Sequence, residues 1–284
     1  MGASVFSNYS WFELWRPFYL VILVIAGYLY IKHMIRSPIF KVNRNQIQYF
    51  FIAITLFYLM KGTPYHVIAK DYLFSAHTFQ LAILCFAVIP LLILSFPVEF
   101  LRRVFWNYRM KFTLRIFSHP WLNAFLFNSL LSIYFIPPIF NFLKSHIWLL
   151  VIAQIIITAL AFFMWWIIIA PIPEINMLSN VKKIIYIFFA SALLLPIGFF
   201  LLIVQVEHYP IYGMVAGEFF KPLNAIYDQQ LAGGLLKFTQ LISYVYALLF
   251  IVLGWGRTEE EKEGEVDEDT RIIRGVVIPY KKKE

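Results

Sequence analysis

Long apolar runs separated by short polar segments organise this chain. Seven stand out, at residues 18–35, 47–60, 77–96, 121–136, 147–170, 184–206 and 235–255. A helix needs about 20 mostly apolar residues to cross the hydrocarbon core. The second and fourth runs are short for that and have the least certain boundaries. The pattern predicts an all-α polytopic membrane protein, a bundle of seven transmembrane helices over residues 1–256.

The connecting segments orient the bundle. Lys32, Arg36, Lys41, Arg44, Arg102, Arg103, Arg109, Lys111, Arg115, Lys182 and Lys183 make eleven cations on one side; Arg16, Lys61, Lys70, Lys144 and Lys221 make five on the other. The richer side is predicted to be cytoplasmic, which puts the N-terminus outside and the C-terminus in the cytoplasm. The first run carries its basic residues after it, and no small-residue cleavage site follows, so it is expected to be retained as a span.

Composition agrees with the pattern: of 284 residues, 61% are apolar and only 14% charged, against roughly a quarter charged in soluble domains. The net charge of +8 is spread over loops rather than gathered into a footprint, so nucleic acid is excluded as a partner. Cys85 is the single cysteine, so no intramolecular disulfide and no Cys-based metal motif exists. Residues 257–284 form an acidic and then basic tail, predicted to be cytoplasmic and disordered, with a β-prone patch at 271–280.

Polar groups at membrane depth are expensive, which makes each a functional hypothesis. Of six histidines, His66, His77, His146 and His208 fall on the predicted outer side. Neutral imidazole is the commonest metal ligand, so an outward group of histidines suits copper or zinc; the bland alternative is bonding to water or headgroups. Gln154 lies in mid-span and needs a partner inside the bundle. Asp228, Gln229 and Gln230 precede Leu231-Ala232-Gly233-Gly234, where small residues permit close helix packing. Asp228 is equally suited to capping a helix start. Pro90 and Pro196 are expected to kink their spans and free backbone carbonyls. No catalytic triad, paired carboxylates, phosphate loop or His-Glu-x-x-His can be placed, so an enzyme is not expected.

Five stretches carry a resemblance. Residues 57–64 (Phe-Tyr-Leu-Met-Lys-Gly-Thr-Pro) are followed by Phe74-Ser75-Ala76-His77, Tyr134-Phe135-Ile136-Pro137, Phe163-Met164-Trp165-Trp166 and Asp228-Gln229-Gln230-Leu231-Ala232-Gly233-Gly234. In this order they resemble the CtaG family of cytochrome c oxidase assembly factors, most closely its Bacillus-type members. The resemblance implies a multi-pass protein of the bacterial cell membrane that acts as a chaperone for the respiratory chain. Its implied partners are oxidase subunits, the lipid bilayer and a copper donor protein; copper is the implied cofactor, at the outer face.

Two departures bear on the site. Many relatives carry His-x-x-x-His where this chain has His77-Thr78-Phe79-Gln80-Leu81, and a Glu-His pair where it has Ala153-Gln154. Positions i and i+4 share a helix face, so a second histidine would complete a metal pair that Leu81 cannot. His77 is the surviving candidate ligand, with Asp228 able to join it if the third and seventh helices approach. Gln80, Gln154, Gln229, Gln230, His146 and His208 are further polar candidates. Competing readings are a transporter or channel for a small solute or metal ion, and a haem protein using His77 and His146.

Overall fold

The computed structural model describes residues 6–105, 119–175, 178–215, 217, 222–264, 270–273 and 276–279. The loop cations Arg109, Lys111, Arg115 and Lys221, and tail residues 265–269 and 280–284, lie outside the described residues.

Helix α1 (Trp11–Trp15) and helix α2 (Pro17–Tyr30) are joined at Arg16, whose φ of 38° and ψ of 61° form a tight left-handed turn. Pro17 suits the first helical position after it, where no N–H is needed. Helix α3 (Arg44–Lys61) follows; at its start Gln46 Oε1 accepts from the Asn43 N–H at 2.9 Å. Helix α4 (Phe74–Ile83) continues through a π-turn at Leu84–Val88 into helix α5 (Ile89–Leu94). Helix α6 (Val98–Phe105) ends that segment. Helices α7 (Pro120–Tyr134) and α8 (Pro137–Ser145) meet at a bend of 74°. Then come α9 (Ile147–Ile169), α10 (Asn180–Leu193), α11 (Leu195–Ile203), α12 (Pro210–Gly213) and α13 (Ala225–Gly264). A small antiparallel hairpin pairs β1 (Thr270–Ile273) with β2 (Val276–Pro279).

Among the described residues the chain is therefore all-helical apart from that hairpin, and it is multi-pass. Among the described residues, five helical segments are long and apolar enough to cross a membrane, or six if the bent α7–α8 pair is one span. That differs from the seven runs of the sequence at two places. Helix α7 has 15 residues, about 22 Å of rise, before Pro137 and Pro138 turn the chain. Helix α3 has the length, 18 residues, but opens on Arg44, Asn45, Gln46 and Gln48, which dilute its hydropathy. Outward side chains such as Phe18 (72% exposed) and Trp148 (79%) form the surface that lipid must cover.

Proline dictates local structure inside the bundle. In the π-turn Ile89 N–H donates to the Leu84 carbonyl, so the next bond, to the Cys85 carbonyl, falls to Pro90, which has no N–H. Trp165 Nε1–H from α9 takes that carbonyl instead, at 2.8 Å. The freed carbonyl expected at Pro90 thus becomes an interhelical bond. Near the break ahead of Pro196, Lys237 Nζ from α13 donates to the Ser191 carbonyl at 3.3 Å and to Gln240 Oε1. Helices α11 and α13 touch through Gly233, where an added Cβ would lie 2.8 Å from Leu201 Cβ and 2.9 Å from the Gly198 carbonyl oxygen. Gly234 is under no such demand: the nearest atom, Leu202 Cδ2, is 3.8 Å away.

Candidate functional site: a buried polar network around His77

Helix α4 begins in the protein interior, so its first N–H groups cannot use water and need partners. Asp228, in the first turn of α13, provides them: its carboxylate accepts from Phe74 N–H at 2.7 Å and Ser75 N–H at 3.1 Å. The third and seventh apolar runs therefore do approach each other. Asp228 caps the neighbouring helix rather than its own, and both of its oxygens are engaged in doing so. Gln229 Oε1 accepts from His208 N–H at 3.0 Å, while its amide donates to the Ala225 carbonyl. Gln230 Nε2 donates to the Val204 carbonyl at 2.9 Å. The Asp-Gln-Gln stretch pins three neighbouring backbone segments in place.

One turn into α4, His77 is 4% exposed. Aromatic rings wall it in: Phe140 of α8 sits edge-on at 5.2 Å and Tyr134 lies near-parallel at 6.1 Å. The 74° bend is what brings Phe140 back over this end of the bundle. His77 Nε2 and Tyr134 Oη are 2.7 Å apart. Gln154 Nε2 donates to the same phenol oxygen at 3.1 Å, and Gln154 Oε1 accepts from Lys61 Nζ at 3.2 Å.

Donor counting orients this chain of bonds. The phenol accepts from Gln154, and its single proton can then be given to His77 Nε2 when that nitrogen is the unprotonated one. The arrangement runs from the Lys61 ammonium through Gln154 and Tyr134 to His77, with every link satisfied. Beside it, Gln80 Nε2 donates to the Met60 carbonyl and to His66 Nδ1, the latter at 3.2 Å, which leaves the His66 proton on Nε2. Burial, together with the Arg16 and Lys61 cations, holds the His66 pKa down at about 3. A second cluster joins from α8, where Lys144 Nζ donates to Tyr212 Oη at 2.9 Å and to the Lys70 carbonyl. Tyr212 Oη in turn donates to the Ala69 carbonyl at 2.9 Å.

Two of the candidate histidines stand apart. His146 is exposed at the end of α8, its Nδ1 2.9 Å from the Phe142 carbonyl oxygen. His208 is half-buried and held by its backbone, whose carbonyl accepts from Asn141 Nδ2. The structure thus joins His77, Gln80 and Gln154 with Lys61, His66 and Tyr134, and assigns Asp228, Gln229 and Gln230 to backbone anchoring. Tyr134 gives no site signal in the sequence, because its hydroxyl is one among many in an aromatic-rich chain. Lys61 reads in the sequence as a loop charge, and Lys237 is a single cation inside the last apolar run.

Among the described residues no three His, Cys, Asp or Glu side chains lie close enough to hold a metal ion together. What these side chains line instead is a cavity of about 890 Å³ between α3 and α9, backed by α4 and α5. It is bordered by Arg16, Lys61, Lys70, His66 and Lys144, with no carboxylate in its wall.

No curated protein and no solved structure matches the chain. A family model does, over residues 26–258, a range that takes in every stretch named above. The chain belongs to the cytochrome c oxidase caa3 assembly factor family (Caa3_CtaG).

Proposed function

We propose that this assembly factor acts without enzymatic chemistry, as a membrane scaffold supporting a late step of oxidase maturation at the end of the bundle that contains His77. That step is formation of a copper centre in the oxidase, and the working end faces outside the cell. Counting α3 as a seventh, short span supports this orientation, because it leaves the eleven loop cations on the cytoplasmic side and five on the other. The Lys61–Gln154–Tyr134–His77 network carries the reading: a continuous hydrogen-bonded polar chain, buried at its His77 end, is costly to assemble in a membrane protein without a role.

The residues present do not fit a copper ion resident in this chain. His77 Nε2 is taken by Tyr134, the Asp228 oxygens by two backbone N–H groups, and Lys61 and Lys144 border the same cavity. A cation there would meet other cations, and the two imidazoles that line the cavity, His66 and His77, already bond Gln80 and Tyr134. The scaffold form of the hypothesis is therefore favoured over a copper carrier.

Membranes from a strain lacking the chain test the reading. Oxidase activity is expected to be lost while haem A absorbance persists, and Tyr134→Phe or His77→Ala is expected to reproduce that phenotype at unchanged protein abundance. Activity and spectrum equal to the parent strain would remove the proposal.

A further inference from the structure

The cavity between α3 and α9 has two chemically different parts. At the end where α3 stops, it is lined by Arg16, Lys61, Lys70 and Lys144. Of these, Lys70 lies 3.6 Å from Asp71, whose carboxylate also accepts from Tyr9 Oη. Arg16, Lys61 and Lys144 form no ion pair among the described residues. Lys61 is held by the Gln154 amide and Lys144 by the Tyr212 hydroxyl and a carbonyl, all neutral groups. Burial first, and then the Arg16 and Lys61 cations, depress the His66 pKa at this mouth.

Further along, the lining is apolar. Leu84, Val88 and Leu92 form one wall, and Ile155, Ala159 and Phe162 the other. From Gln154 to Phe162 the α9 wall runs about 12 Å, comparable to half of a hydrocarbon core. This wall is open sideways: Ile155 is 63% exposed and Val151 42%. The cavity therefore faces the bilayer laterally, with a charged mouth at one end.

We propose that this cavity is a binding site for an anionic amphiphile, an anionic phospholipid whose phosphate sits among Arg16, Lys61 and Lys144 and whose acyl chain lies between α3 and α9. Charge-assisted hydrogen bonds from an ammonium or guanidinium to a phosphate oxygen are the strong class of such bonds, and desolvation inside the bundle strengthens them. Basic pockets between transmembrane helices select anionic headgroups by the same physics. A free phosphate would satisfy the mouth and leave the apolar wall unused; a zwitterionic lipid would bring its own cation against Lys61. The site also explains why buried cations are tolerated here without carboxylate partners. The inference shares its cavity with the scaffold reading but does not depend on any oxidase step, so purified protein alone tests it.

The test is native mass spectrometry of the full chain released from nanodiscs containing equal amounts of phosphatidylglycerol and phosphatidylcholine. The expected result is a retained phosphatidylglycerol in preference to phosphatidylcholine, reduced at least about tenfold in the double variant Lys61→Gln/Lys144→Gln and unchanged in Lys182→Gln at the other end. Ala159→Trp leaves the cations intact and fills the apolar part, so it tests the tail separately from any folding defect of the charge variants. It is expected to abolish lipid retention while leaving the melting temperature in detergent near that of the parent. Equal retention of both lipids would overturn the proposal, as would retention indifferent to Lys61→Gln/Lys144→Gln. Thermal stabilisation by inorganic phosphate as large as that by phosphatidylglycerol, with Ala159→Trp silent, would overturn the lipid assignment.

Discussion

The two ends of the bundle carry the same residue types and use them differently. At the end holding Arg102, Arg103, Glu174 and Lys182, most charge stays on the surface: Arg102 pairs with Glu174, both side chains are more than 40% exposed, and Lys183 is the exception at 7%. At the His77 end, Asp228 is 3% exposed, and Lys61 and Lys144 turn into the cavity to bond amide, hydroxyl and carbonyl groups. Exposed ion pairs gain little because water already solvates both partners. Buried charges have lost that solvation, so whatever they bond to holds them firmly, and removing a partner is expensive. The second end gathers its cations around a cavity.

Asp228→Ala should produce the largest effect. It strands the Phe74 and Ser75 N–H groups in the interior, and a loss of about 3 kcal/mol is expected, read as a fall in unfolding midpoint in detergent. If Asp228→Ala unfolds no more easily than the parent, the contrast between the ends collapses.

A smaller, pH-dependent effect follows from His66. Its folded pKa of about 3 lies below the ordinary histidine value, so between those two values the unfolded chain binds more protons than the folded one. Stability should be full above about pH 6.5 and decline as pH falls from there toward 3, by less than about 1.4 kcal/mol per unit because the ring is only partly buried. His66→Gln should flatten that slope. An equal slope in the variant would show that His66 is not shielded as described.

Arg102→Ala should do least. No change in unfolding midpoint is expected, and a clear loss would mean that this end too relies on its charges for stability.

Much of this protein was legible from residue order. Membrane residence, the helical class and the helix break at Pro137 and Pro138 follow from local composition and backbone chemistry, which need no partner to act. The family likeness followed from short stretches in order, and the family match over residues 26–258 agrees with it. His77, Gln80 and Gln154 drew attention because buried polarity in an apolar run is visible in one dimension. The span count was less legible, because whether α7 and α8 form one crossing depends on a 74° bend that composition does not encode. Only tertiary structure decided what the polar groups bond to. Asp228 caps a helix 154 positions earlier in the chain, Trp165 takes a carbonyl 80 positions away, and Lys61 reaches Gln154 across 93. Hydrogen bonding acts over about 3 Å of space and is indifferent to distance along the chain, so these partners emerge only when the helices pack.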